Sequence, residues 1–136
     1  MASEFRVSWA HLGLVVLGGA IGTAARIGLL LTMESPPWRE LAVPVVNVVG
    51  SLLLGLLLGA LSGVSGARGR RMHAFLATGV LGGFTTYSTF ALEAVQAVAV
   101  WSALVTVTAG LAAAALGLWL ADAWGRRGTT TGAERA

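Results

Sequence analysis

The chain has 136 residues, of which 56% are hydrophobic and 11% charged, with a formal net charge of +3 and no cysteine. Soluble domains carry about 25% charged residues, so this composition, with a mean hydropathy of +0.80, excludes an ordinary soluble domain and reads as an all-α membrane protein. The lack of cysteine also excludes disulfides, thiolate catalysis and thiolate metal sites, and leaves oxygen donors for any metal.

Four apolar segments follow in order: Trp9 to Leu31, Val43 to Leu61, Ala74 to Ala97 and Trp101 to Ala121. Each is close to the ~20 residues that cross ~30 Å of hydrocarbon. They make residues 1–136 a single four-helix transmembrane domain with no soluble module. Four short helices do not easily enclose a pore, so a partner chain is expected. The first span is read as retained, because Glu4 spoils a basic leader and the apolar run continues to Leu31. It carries Gly18 and Gly22 on one face, the spacing that lets helix backbones approach closely. Arg26 follows within the apolar run and serves either as a snorkelling anchor or as a functional cation. His11 and His73 lie near span ends and read as interfacial side chains. Met33 to Arg39, with Pro36-Pro37, reads as a loop.

The second span places Pro44 in its first turn, then Asn47, Gly50-Ser51 and a Gly55/Gly59 pair. A carboxamide in hydrocarbon must be hydrogen-bonded, either to another helix or to a ligand in a cavity. Gly63 to Arg71 reads as a flexible, arginine-rich connection. The third span contains Gly82-Gly83-Phe84-Thr85-Thr86-Tyr87-Ser88-Thr89-Phe90, two glycines, four hydroxyls and three aromatics within an apolar run. A break in a membrane helix survives only where its freed backbone groups are buried in protein or line a cavity, so this stretch predicts a site. Its freed carbonyls suit a hard cation such as sodium. Its hydroxyls and ring edges, with the Asn47 amide, suit a small anion, for which neutral donors permit passage where a central fixed charge would trap it. Glu93 and Gln96 close this span, a turn near Ala97 to Val100 leads into the fourth, and Gly125 to Ala136 reads as a fraying tail.

All nine basic residues are arginines. Arg6, Arg68, Arg70, Arg71, Arg126, Arg127 and Arg135 fall on one side of a four-span layout, with Arg39 and at most Arg26 on the other. This bias predicts a multi-pass protein of the cell membrane, inner or plasma, with both termini cytoplasmic. Juxtamembrane arginines belong to a lipid surface, and no nucleic-acid partner is expected.

The third-span motif resembles the Gly-Gly-Phe-Thr-Thr-Phe-Ser-Thr-Phe signature of the fluoride channel family (Fluc, also called CrcB), with Tyr87 in place of a phenylalanine. Gly18-Gly19-x-x-Gly22-x-x-x-Arg26 and Asn47-x-x-Gly50-Ser51 match the same family in order and spacing, and the resemblance covers all but the tails. It implies an antiparallel dimer of four-helix subunits, broken in the third helix, that exports cytoplasmic fluoride passively and is not an enzyme. By this resemblance Asn47 is the pore-lining amide, Tyr87 and Phe90 are the aromatic edges, and Ser88 and Thr89 add hydroxyl donors. Ser102 and Thr106 fit the family's hydroxyl track at i, i+4 spacing. Arg26 takes a vestibule position and Glu93 a pore mouth. The main-chain oxygens of Gly82 and Thr85 are implied ligands of a structural Na+ at the dimer centre. Val43 stands where many members have threonine, so one donor is missing. The alternatives are a non-conducting or regulatory subunit of a heterodimer and a small dual-topology-like exchanger. An exchanger calls for a membrane-embedded carboxylate, whereas Glu93 and Asp122 lie near span ends. The partner is either a second copy or an oppositely oriented homologous chain.

Overall fold

The computed structural model describes residues 8–33, 35–36, 38–85 and 99–133, and among them it is helical with no strand. Helix α1 is Trp9–Thr32 and α2 is Trp38–Leu61. A third rod runs through α3 (Gly66–Met72), a π-helical stretch (His73–Leu81) and the single turn α4 (Gly82–Phe84), and the chain ends in α5 (Ala99–Ala133). Stretches of Leu, Val, Ala and Gly with few charges take this form because a helix satisfies every interior backbone group within itself. Among the described residues three helices are long and apolar enough to cross a membrane: Trp9–Thr32, Leu41–Leu61 and Ala103–Arg126.

Local hydrogen bonds close the ends. Thr32 Oγ1 donates to the Leu29 carbonyl at 2.7 Å, and the Met33 N–H donates to Leu30 at 3.0 Å. Ser62 Oγ donates to the Gly59 carbonyl at 2.7 Å, and Gly66 then turns the chain at a φ of +77°, a left-handed conformation open to glycine. In the π-helical stretch the Gly82 N–H reaches the Ala77 carbonyl, five residues back. The helix continues through Gly82-Gly83, and the chain becomes extended at Thr85 (φ −76°, ψ 154°).

Several boundaries differ from the sequence reading. Helix α2 begins at Trp38, so Pro44 lies inside it rather than in its first turn. A proline there leaves one carbonyl of the preceding turn without its N–H. The Gly63 to Arg71 connection is helical from Gly66, and residues 125–133 of the expected fraying tail continue α5. The 35 residues of α5 reach about 52 Å, more than ~30 Å of hydrocarbon. Its last turns therefore emerge, and there Asp122 and Arg126 form an exposed ion pair at 2.6 Å.

Close contacts at glycine fix the packing. A Cβ on Gly18 would strike the Phe75 carbonyl and stand 3.0 Å from the Gly79 Cα, and one on Gly22 would strike the Val80 carbonyl and lie 2.8 Å from the Phe84 nitrogen. Residue numbers rise together along this seam, so α1 and the third rod are parallel. Helices α2 and α5 are parallel by the same criterion: Ser51 faces Gly110, Gly55 faces Ala114, and Gly59 faces Leu118 and Ala121. The core is thin, with Ala42, Val43, Val46 and Ala77 buried, while Leu111, Val105 and Trp101 are 64–73% exposed. Such a surface is untenable in water and suited to lipid.

Substitution at the α1 seam follows directly. Gly22→Ala drives a Cβ into backbone that has no side chain to move aside and is expected to cost about 1–3 kcal/mol. Gly28→Ala, on the same helix with nothing within 4 Å, is expected to be neutral. Thermal melting of the purified chain in detergent checks this; equal melting temperatures for the two variants would refute the packing described.

Candidate functional site

The break at Thr85 is held from two sides. On α2, Gly50 is buried beneath it, and a Cβ there would stand 2.6 Å from Thr85 Cγ2 and 3.2 Å from Phe84 Cδ1. On α1, Thr23 Oγ1 donates to the Gly83 carbonyl at 3.3 Å, while Gly83 rests on Gly19, with a virtual Cβ 2.9 Å from its Cα. Thr85 satisfies part of the helix end itself, since its N–H and Oγ1 both donate to the Leu81 carbonyl, at 3.0 Å and 3.1 Å. Helix α4 ends at Phe84, with Thr85 extended, and the Gly83 carbonyl takes its bond from α1 rather than from its own helix. Thus Gly19, Gly50 and Gly83 serve close approach, and the helix ends after Phe84 rather than at Gly82-Gly83.

Asn47 lies one turn before Gly50-Ser51 on α2. Because α2 and α5 are parallel and Ser51 faces Gly110, one turn back along each helix brings Asn47 level with Thr106. Thr106 is 7% exposed, a buried hydroxyl among apolar neighbours. Asn47 is half-buried, and both residues are engaged in interactions, as polar groups in an apolar bundle must be. One further turn back, buried Val43 is level with Ser102. The structure therefore sets Asn47 and Gly50 on neighbouring turns of α2, which packs on α5 near Thr106 and on the end of the third rod at Thr85.

Arg26 lies one turn beyond Gly22 on α1, past the level of the break, and its Nε is buried without a hydrogen-bond partner. A buried guanidinium nitrogen in that state lends weight to an anion-facing cation over a snorkelling anchor. Gly82 is exposed, on a surface a second chain can reach. Tyr87, Ser88, Thr89, Phe90 and Glu93 lie outside the described residues; Ser102 is placed on α5 by its backbone alone. Among the described residues no group of three or more His, Cys, Asp or Glu comes together to hold a metal, so a cation there would depend on neutral oxygens. Thr23 is the site residue that sequence reasoning passed over. Its signal was a hydroxyl one turn after Gly19, on the face that small residues already marked for close contact.

Residues 13–120 match the model of a family described as CrcB-like protein, Camphor Resistance (CrcB). The chain is 41% identical over 120 residues to the fluoride-specific ion channel FluC of Hyphomonas neptunium, an alignment covering 79% of this chain and 92% of that protein. It is also similar to two chains of Rhodococcus jostii. Fluoride-specific ion channel FluC 1 is 45% identical over 107 residues, covering 76% of this chain and 79% of the relative. FluC 2 of the same organism is 42% identical over 114 residues, covering 79% and 95%.

Proposed function

This chain belongs to the CrcB-like family, and we propose that it is a subunit of a fluoride-selective channel that lets cytoplasmic fluoride leave down its electrochemical gradient. It is a multi-pass membrane protein of an ion-channel family, not an enzyme. The observation that carries the fluoride reading is the break at Thr85, seated on Gly50 and level with no charged side chain of α2 or α5, in a chain whose relatives bear the fluoride-channel name.

Fluoride enters cells as HF, dissociates inside, and leaves as the anion, so the pathway needs selectivity without catalysis. A strongly hydrated anion surrenders water only to groups that replace it. Asn47 and the hydroxyl of Thr106 offer N–H and O–H donors at one level, joined in this proposal by Ser102, Ser88 and Thr89, with the ring edges of Tyr87 and Phe90 presenting positive rims. Arg26 at the entrance concentrates the anion without fixing it inside, and Glu93 sits at a mouth. Four crossings are part of this proposal, in keeping with the parallel run of α1 with the third rod and of α2 with α5. The functional unit is an antiparallel dimer in the cell membrane.

The carbonyls freed at the end of α4 also fit a monovalent cation, because neutral oxygens hold sodium without a buried carboxylate, and exposed Gly82 leaves room for the same oxygens of a second chain. Gly82 and Thr85 would supply them. A bound Na+ contributes fixed positive charge that holds two breaks together.

Liposomes holding this chain together with a homologous partner, loaded with fluoride or with chloride, test the reading: fluoride efflux is expected and chloride efflux is not. Chloride passing as fast as fluoride, or no efflux in any pairing of chains, would overturn it. Exchanging all Na+ for N-methylglucamine during purification is expected to lower both fluoride efflux and melting temperature; unchanged values would remove sodium from the proposal.

A further inference from the structure

A cleft of about 450 Å³ opens where α2 ends and the third rod begins, its lining including the apolar Leu61, Val64 and Ala74 and the polar Ser65, Arg70 and His73. We propose that it binds the phosphate headgroup of an anionic phospholipid.

Four observations lead to this occupant. The cleft lies at the C-terminal end of an apolar span, Leu41–Leu61, at the depth where hydrocarbon gives way to headgroups. Its lining combines apolar residues with polar ones, as a site for the glycerol and upper acyl chain together with the phosphate of a lipid requires. The Arg70 guanidinium and the His73 ring supply donors of the type that oxyanions take, and both residues are exposed and accessible. No Asp or Glu occurs between Glu40 and Glu93, so neither α3 nor the π-helical stretch, nor α2 beyond its first turn, brings a carboxylate to repel the anion. The volume suits a headgroup; a lone halide in an open cleft of that size keeps its water. Arg68 and Arg71 stand outside the lining and add only diffuse attraction to an anionic surface.

The cleft is assigned independently of ion conduction, and binding is read without it. Native mass spectrometry of the full chain in detergent, with phosphatidylglycerol or phosphatidylcholine added, measures retained lipid. Preferential retention of phosphatidylglycerol is expected. R70Q and H73Q are each expected to lower it at least about fivefold, and R68Q, the same charge change on the same short helix, less than about twofold. Should R70Q fail to fold, S65W fills the cleft instead. Ser65 makes no capping hydrogen bond, so its replacement removes no helix cap, and the same loss is expected. Equal retention of the two lipids, equal losses in R68Q and R70Q, unchanged retention in S65W, or inorganic phosphate stabilising the chain against heat as well as phosphatidylglycerol does would overturn the assignment.

Discussion

Asn47→Ala, made together with the matching change in a co-reconstituted homologous partner, is expected to slow fluoride efflux from liposomes by roughly 10- to 150-fold while leaving the melting temperature within a few degrees of the parent. An anion that has left water loses with the amide one hydrogen bond to a charged group, worth about 1.5–3 kcal/mol, and if that loss falls on the highest point of the path it appears in the rate as that factor. Thr106→Val, which keeps shape and removes the hydroxyl, is expected to act in the same direction. The double variant should fall short of the product of the two effects, because the groups stand level with each other and serve one ion at one position. Phe90→Ile tests the ring edge the same way. Unchanged efflux in Asn47→Ala and Phe90→Ile would remove these positions from the pathway. A large fall in melting temperature would instead mark Asn47 as a bridge between helices, the other role open to a carboxamide in hydrocarbon.

The parts of this site that repeat on one helical face were legible in the sequence. Gly18/Gly22 and Gly55/Gly59 announce close approach by their spacing, and each contacts a neighbouring span in the structure. Asn47 with Gly50-Ser51 places a polar group and a gap on one face, and the gap is filled by Phe84 and Thr85. What failed was inference from local propensity. Gly63 to Arg71 reads as a loop because glycine disfavours helix in isolation, yet Gly69 is buried against the Val64 carbonyl, and packing decides the conformation. Gly82-Gly83 reads as the break for the same reason, whereas Gly83 is helical because Gly19 lies against it. The π-helical stretch leaves no mark in a segment that is apolar on every side, since no pattern of faces records a change of period. The residues of the motif from Thr86 onward, which carry most of the resemblance, lie outside the described structure.

The chain alone is expected to be silent, with fluoride efflux at the level of empty liposomes, and to conduct when co-reconstituted with a homologous chain inserted the other way. The parallel pairs put the start of α1, the α2–α3 connection and the end of α5 at one end of the molecule, which gathers Arg68, Arg70, Arg71 and Arg126. The opposite end has Arg39 near the start of α2. Lys and Arg close to span ends set orientation, so the arginine-rich end is expected to face the cytoplasm in every copy. Two copies inserted alike cannot form an antiparallel pair, and on that expectation the second half comes from a chain of opposite bias. Val43 in place of threonine and Tyr87 in place of phenylalanine are then tolerated because the partner supplies the full donor set along its own route. Reporter fusions to the C-terminus measure orientation directly, and cytoplasmic signal alone is expected. Comparable signal on both faces, or efflux from the purified single chain equal to that of the mixture, would restore a homodimer that inserts both ways.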